Sequence, residues 1–371
     1  MAGPGVRLAI AGSGGMAEYQ ARKFSRIPGC TVTGCIDHHP EHGESFARRM
    51  GIPFYYVSVK EMLDAGTCNA LSCVVADSRH YECCAAALEY AMPVLCEKPL
   101  TRTLKEAEDL RRRALQFGGP AMVNFSKRNA PALSCLKQIL DEGRLGLLVK
   151  VNAEYLQGWA ATKVWGDWHT TSRWKWRLMP DAAAAGAAGD LGSHLADALL
   201  FLFGGLSVDA VRGIRLKEAM ETGRLREEKL EAEFAGGGAW VEIEARGNLP
   251  GVDGAVPAHI RASWIVPEAL DDFRITVDGT RARAVLDFRK SREGVELFEP
   301  GAGEDPALCK NGRFLAGIPA ASSYELFAEA VERHIAGDRR PVNPAAGDFS
   351  FEQGLRVQRI LNELVPGGLP R

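Results

Sequence analysis

The residues best suited by type and spacing to carry chemistry lie in one stretch, Gly189-Asp190-Leu191-Gly192-Ser193-His194-Leu195-Ala196-Asp197. It follows an alanine-glycine run, Ala182 to Ala188, and opens an apolar segment, Ala198 to Phe203. On a helix, Asp190, His194 and Asp197 share one face, because residues three and four apart stack a turn above one another. A carboxylate beside an imidazole orients the ring and favours its charged form. Such a pair moves protons. The same letters also read as a helix start with two capping aspartates and a satisfied histidine, and the rest of the chain has to separate the two readings.

The elements that would position a second reactant stand at the N-terminus. Val6 to Ala11 is a short apolar run suited to a buried parallel strand, and Gly12-Ser13-Gly14-Gly15-Met16-Ala17 follows at once. In this G-x-G-x-x-A pattern the first glycine permits a tight turn, the second lets a pyrophosphate approach the backbone, and the last small residue lets helix pack on strand. A helix from about Ala17 to Ile27 would aim its N-terminus at the phosphates. Thr31 to Ile36 reads as the next strand and ends on Asp37, where an acid accepts from the adenosine ribose hydroxyls. Asp37 repels a 2′-phosphate and so favours NAD; His38, His39, Arg48 and Arg49 lie nearby and keep NADP open.

The alternation continues with a strand over Ala70 to Ala76, a helix over Tyr81 to Tyr90, a strand over Pro93 to Cys96, a helix over Thr103 to Phe117 and a last strand over Ala121 to Phe125. Ligands of open parallel sheets sit outside the carboxyl ends of the strands. The expected cofactor contacts are therefore Gly12, Ser13, Gly14, Gly15, Met16, Asp37, His38, Ala76, Asp77, His80, Glu97 and Lys98.

Composition sets outer bounds. A chain of 371 residues calls for two domains, drawn here at 1–123 and 124–371. With 46% hydrophobic and 25% charged residues and a net charge of −2, it is an ordinary globular composition with no basic stripe for nucleic acid. Apolar runs stop well short of the ~18 residues of a membrane span, and the first residues lack the order of a signal peptide. Nine scattered cysteines, none in a C-x-x-C pair, fit a reduced, cytoplasmic protein. Cys83 and Cys84 read as small hydrophobes on a helix. No histidine, cysteine and carboxylate set has metal-ligand spacing, so no metal is expected.

With the glycine loop, Glu97-Lys98-Pro99 and Asp190-Leu-Gly-Ser-His194-Leu-Ala-Asp197 in hand, the chain resembles the Gfo/Idh/MocA family of sugar and cyclitol oxidoreductases over nearly its whole length. The resemblance implies an α/β fold: an N-terminal Rossmann dinucleotide-binding domain, then an α+β domain with a large open sheet that joins subunits into a homodimer or homotetramer. It also implies that Lys98, Asp190 and His194 meet at the nicotinamide, with the lysine or the histidine transferring the proton; of the two the reading adopted takes His194 as acid/base, Asp190 as its orienter and a ligand of a substrate hydroxyl, and Lys98 as polariser of the reacting oxygen. Asp77 stands in a loop where many members have proline, and the usual glycine-rich approach to the helix is alanine-rich here.

The second half supports a carbohydrate ligand. A helix over Ala132 to Gly143 and a strand over Leu147 to Tyr155 lead into a segment holding five of the seven tryptophans within eighteen residues, Trp159, Trp165, Trp168, Trp174 and Trp176. They alternate with Lys163, Asp167, His169, Arg173, Lys175 and Arg177. Broad apolar faces with polar handles suit the C–H faces and hydroxyl edges of sugars; a loop packing on the sheet, or a subunit contact, also accounts for them. Asn124, Arg128, Trp176 and Arg177 join Lys98, Asp190 and His194 as candidates for substrate contact. Alternating patterns at Leu230 to Phe234, Trp240 to Arg246, Ile260 to Val266, Phe273 to Val277 and Ala284 to Phe288 read as a largely antiparallel sheet, Lys217 to Glu233 as a solvated face, and Tyr324 to Ile335 and Phe351 to Leu364 as closing helices. The expected activity is hydride transfer between a secondary alcohol and NAD(P). The rivals are a glycoside hydrolase or lyase working by transient oxidation and elimination, and a non-catalytic NAD(P)-binding regulator.

Overall fold

The computed structural model describes residues 5–162, 164–166, 176–178, 185–215, 238–248, 255–300, 312–338 and 348–364. The chain forms two compact units, the first from residues up to Phe125 together with Ala321–Gln358, the second from Ser126–Ala320 with Arg359–Leu369. A single cut after residue 123 assigns Ala321–Gln358 to the second half, whereas its packing assigns it to the first unit.

In the first unit, β1 (Val6–Ala11), β2 (Cys30–Ile36), β3 (Phe54–Tyr56), β4 (Ala70–Cys73), β5 (Val94–Cys96) and β6 (Ala121–Val123) make a parallel sheet in the order β3-β2-β1-β4-β5-β6. Every residue of β1 except Arg7 is buried, as a strand covered on both faces requires. Helices α1 (Gly15–Phe24), α2 (Pro40–Met50), α3 (Val59–Ala65), α4 (His80–Glu89) and α5 (Leu104–Phe117) connect the strands. The stripe Ala17, Gln20, Ala21 and Phe24 turns α1 inward at helical spacing. Phe54–Tyr56 was not expected as a strand. Three residues with an exposed Phe54 show no period, and the strand exists because Gly34, Cys35 and Ile36 offer it their backbone groups.

The helix Ser323–Ile335 closes the core of this unit. A capping box between Ser322 and Glu325 starts it. Its buried Tyr324, Phe327 and Val331 join Leu8, Ile10 and Phe24 in one cluster, with the Phe24 ring edge-on to Tyr324 at 5.3 Å and to Phe327 at 6.3 Å.

The second unit has α6 (Pro131–Asp141) and α7 (Ser193–Phe203) and a sheet of β7 (Leu148–Leu156), β8 (Gly205–Arg215), β9 (Gly238–Asn248), β10 (Val256–Ser263), β11 (Asp272–Gly279), β12 (Arg283–Asp287), β13 (Gly294–Phe298) and β14 (Arg313–Ala316). Among the described residues the order is β14-β13-β12-β11-β7-β10-β9-β8, with β7 and β10 parallel and every other pair antiparallel. Alternation holds strand by strand: Val151, Ala153 and Tyr155, Val241, Ile243 and Ala245, Phe273, Ile275 and Val277 are buried, while Glu154 pairs with Arg261 and Glu242 with His259 on the other face. Strands β8, β13 and β14 go beyond the expected set, while the expected strand over Leu230 to Phe234 and the charged stretch Lys217 to Glu233 lie outside the described residues. Helix α7 is apolar nearly all round and almost wholly buried. Among the described residues no helix is long and apolar enough to cross a membrane.

One buried ion pair locks this unit. Arg128, in the 3-10 turn Ser126–Asn129, and Asp197, on α7, are 3% and 1% exposed. Arg128 Nε donates to Asp197 Oδ2 at 2.9 Å, and a second bond joins Nη2 to Oδ1. Removing one partner strands a buried charge, so Asp197→Ala is expected to lower the unfolding free energy by about 3–5 kcal/mol in urea titration, whereas Arg128→Met with Asp197→Leu recovers most of that loss.

Candidate functional site

In the first unit the order in which strands are added reverses between β1 and β4, and the loops leaving these parallel strands meet. Gly12 adopts a φ of +109°, donates its N–H to Ile36 O at 2.7 Å, and lies so near β4 that a Cβ there would stand 2.8 Å from Val74 O. Gly14 differs: it caps α1 with extended backbone, and a Cβ added there meets nothing within 4 Å. The first glycine is thus required by the protein, and the second leaves open space above a helix N-terminus, where phosphate oxygens are stabilised. Ser13 Oγ donates to Asp37 Oδ2 at 2.5 Å and His39 N donates to Oδ1 at 2.9 Å. Asp37 therefore tethers the glycine loop to the end of β2. Beside it the His38 and His39 rings lie 3.8 Å apart, and Arg79 Nη1 meets His38 Nδ1 at 2.9 Å. Partial burial and the Arg79 guanidinium, then His39, hold His38 below the ordinary histidine range against the pull of Asp37.

Glu97, expected among the cofactor contacts, is the hub of a buried polar seam. Its Oε1 accepts from Gln20 Nε2 and from Asn124 Nδ2, both at 2.6 Å. Gln20 Oε1 in turn accepts from Ser72 Oγ at 2.5 Å. Asn124 Oδ1 accepts from Ser323 Oγ at 2.5 Å, and Asn124 Nδ2 also reaches Tyr324 Oη at 3.0 Å. Lys98 follows Glu97 directly, its N–H 3.3 Å from Glu97 Oε2. Asn124, expected at the substrate, is a buried strut of this seam. His80, expected at the cofactor, is buried too, its Nδ1 2.9 Å from Pro99 O and its Nε2 3.1 Å from Val75 O. Its side chain ties the loop after β4 to the loop after β5. Asp77 is also buried, in the 3-10 turn that precedes α4.

In the second unit, Asp190 lies on a π-helical turn, Ala188–Gly192, that runs straight into α7, and His194 is in the first turn of α7. Such single π turns within helices are frequent at functional sites. Asp190 Oδ2 accepts from Trp264 Nε1 at 3.3 Å and lies 3.6 Å from Arg177 Nε. Trp264 is fully buried, with the buried Trp159 against it at 5.2 Å. His194 is buried with its ring 5.9 Å from that of Tyr155. Asp271 gathers Tyr155 Oη at 2.6 Å, Gln157 Nε2 at 2.9 Å and Lys127 Nζ at 3.1 Å. Burial, then the Asp271 carboxylate, pushes the Tyr155 phenol well above the usual tyrosine range. Burial opposes ionisation of Asp271 itself, but Lys127 and the Tyr155 and Gln157 donors hold it below the usual carboxylate range.

Several expected roles change. Asp197 and Arg128 are spent on each other. Trp159 packs against Trp264 inside the unit; Trp168 and Trp174 fall outside the described residues, as does the side chain of Trp176. Sequence reasoning missed Gln20, Ser72, Tyr324, Lys127, Tyr155, Gln157, Asp271 and Trp264. Only Trp264 carried a usable signal, a lone tryptophan near the end of an alternating strand. Two donor sets that spacing did not show also come together, Asp37–His38–His39 and Cys73–His80–Cys96, each with ligand atoms within 4.8 Å of one another.

Two family models match the chain, the oxidoreductase family with NAD-binding Rossmann fold over residues 6–125 and the GFO/IDH/MocA C-terminal domain over residues 134–285. The chain belongs to the Gfo/Idh/MocA oxidoreductase family. Levoglucosan dehydrogenase of Pseudarthrobacter phenanthrenivorans is 29% identical over 174 residues, 47% of this chain and 43% of that protein. Inositol 2-dehydrogenase of Mycolicibacterium gilvum is 35% identical over 146 residues, 38% of this chain and 41% of that protein. The chain spans about half the length of the first curated relatives it matches. In fold it is similar to levoglucosan dehydrogenase in complex with NADH and levoglucosan, with a TM-score of 0.77 at 20% identity over 99% of this chain and all of that one. An inositol dehydrogenase homolog from Azotobacter vinelandii in complex with NAD+ gives 0.75 at 18% identity over 98% of this chain and 95% of that one.

The two glycines separate folding from binding. Gly14→Ala is expected to leave the thermal unfolding midpoint unchanged and to weaken NADH binding on the order of tenfold, the loss of one charge-assisted backbone bond. Gly12→Ala is expected to lower the unfolding midpoint itself, since its Cβ enters Val74 O. Scanning calorimetry with and without NADH reads both.

Proposed function

We propose that this Gfo/Idh/MocA chain is an NAD(P)-dependent dehydrogenase that moves a hydride between a secondary alcohol of a sugar or cyclitol and the nicotinamide. The observation that carries the reading is the bracing of the family's motif residues: Lys98 leaves a strand end anchored by the Glu97 seam, and Asp190 and His194 stand on one continuous π-to-α helical segment. Bound NAD supplies the hydride acceptor.

The protein's own residues handle the proton and the substrate's orientation. As hydride departs from the carbinol carbon, its hydroxyl proton needs a base, and His194 takes it. The Asp190 carboxylate, aimed by Trp264 and Arg177, accepts from a substrate hydroxyl. The Lys98 ammonium stabilises negative charge growing on the reacting oxygen. Tyr155 keeps its proton and donates it to Asp271 in a hydrogen bond, which fixes its ring beside His194. Asp37 favours NAD by accepting from ribose hydroxyls; Arg79, His38 and His39 offer positive charge to a 2′-phosphate, so NADP is the second cofactor of the proposal. Self-association through the eight-stranded sheet belongs to the same reading and is read by light scattering.

The test follows near-ultraviolet absorbance of the reduced nicotinamide with NAD, then NADP, against free sugars, anhydrosugars, inositols and glycosides. Reduced cofactor is expected to accumulate with one substrate class, and Lys98→Ala and His194→Ala are each expected to lower kcat/KM by about 10²–10⁴-fold. A flat trace with glycoside consumed replaces the dehydrogenase by a redox-assisted hydrolase. A flat trace with every compound intact leaves a cofactor-binding protein without this catalysis.

A further inference from the structure

The first unit holds a cluster of soft donors that the hydride-transfer reading does not use. Cys73 and Cys96 end the adjacent strands β4 and β5 and are direct register partners. Parallel register turns both side chains to the same face, and there the His80 ring, from the first turn of α4, brings a nitrogen within 4.8 Å of both sulfurs. Cys84 stands four residues after His80, one helical turn on. Its thiol adjoins those of Cys73 and Cys96, and the Cys83 thiol adjoins that of Cys73. All of these residues are buried.

One feature distinguishes this cluster from thiols packed as small hydrophobes: an imidazole stands among them, the His80 Nδ1 2.9 Å from Pro99 O and its Nε2 3.1 Å from Val75 O. A small turn of the ring toward the thiols aims a ring nitrogen at the space between the sulfurs. Thiolate is the form in which cysteine ligates metals.

We infer that Cys73, Cys84, Cys96 and His80 form a binding site for one thiophilic metal ion of the zinc class. Tetrahedral bonds of about 2.3 Å to sulfur and 2.0 Å to nitrogen set donor atoms about 3.8 Å apart, so the Cys73, His80 and Cys96 donors, within 4.8 Å of one another, close by about an ångström or less from where they stand. Binding exchanges three thiol protons for the cation; they leave to solvent and the imidazole stays neutral. Three thiolates and an imidazole fill four positions and leave none for a substrate or water, which is the pattern of a structural site. The metal would fasten the exits of β4 and β5, immediately before the loops that carry Asp77 and Glu97-Lys98. The inference is independent of the proposed reaction, since its readouts need neither nicotinamide nor sugar.

The test uses the full chain produced in cobalt-supplemented medium, so that the buried site loads as the protein folds. One cobalt per chain is expected, with the near-ultraviolet thiolate-to-cobalt charge-transfer absorbance and the intense visible bands of tetrahedral cobalt. Zinc is expected to displace it and abolish both. In Cys84→Ala and Cys96→Ala, bound cobalt is expected to fall at least about tenfold; Cys135→Ala, a buried thiol of the other unit, is expected to keep it. If a cluster variant does not fold, the wild-type spectrum decides by its sulfur count: three thiolates support the site, fewer overturn it. Folded wild-type protein without cobalt, cobalt without sulfur charge transfer, or cobalt retained by folded Cys84→Ala and Cys96→Ala each overturns it as well.

Discussion

Glu97 sets a half-buried carboxylate against the interior of the first unit, and much else follows from keeping it satisfied. A buried charge is tolerated only when its oxygens are occupied by donors. Gln20 reaches it from α1, Asn124 from the end of β6, and both are themselves held, by Ser72 and by Ser323. The seam therefore links the first helix, two strand exits and the returning helix Ser323–Ile335. Lys98, the next residue, inherits a fixed starting point. The same economy explains why the chain comes back to this unit near its end: without Ser323 and Tyr324 the seam opens, and Phe24, Leu8 and Ile10 lose the cover of Phe327 and Val331.

The second unit solves a similar problem differently. The π turn at Ala188–Gly192 delivers Asp190 out of a helix whose continuation is apolar nearly all round. Trp264 gives Asp190 a donor from the end of β10, and Trp159 backs Trp264. Arg128 and Asp197 neutralise each other beneath, so that α7 is fixed by charge as well as by packing. Polar residues of this unit fall into two classes by environment: those consumed in bracing, and those, such as Asp190 and Arg177, that stay partly exposed. The braced residues hold the partly exposed ones in place.

Surface electrostatics contribute little to this architecture. Most of the ion pairs among the described residues are exposed or half-exposed, such as Lys60–Asp64 and Arg22–Glu18, and pairs of that kind contribute at most about 1 kcal/mol each. The Arg128–Asp197 pair stands apart because it is buried and water does not screen it.

What the sequence by itself determined is the part of the protein governed by local pattern. Apolar runs followed by Gly12-Ser13-Gly14 specify a strand, a turn and a helix start, and alternation at Trp240 to Arg246 or Phe273 to Val277 specifies half-buried strands, because periods of 2.0 and 3.6 residues are properties of the local backbone. Lys98, Asp190 and His194 were singled out by the same kind of local spacing, and the structure sets Asp190 and His194 on one continuous helical segment. Only the tertiary structure decided which polar residues became struts. Asn124, Arg128, His80 and Asp197 read as site residues in one dimension, but partners as remote as Tyr324 and Asp197 claim two of them. It also decided that Phe54–Tyr56 is a strand, that Ala321–Gln358 belongs to the first unit, and that Cys73, Cys84, Cys96 and His80 share one interior spot. Each of these depends on contacts between residues far apart along the chain, and a linear pattern carries no record of which distant backbone or side chain will supply the missing hydrogen bond or apolar neighbour.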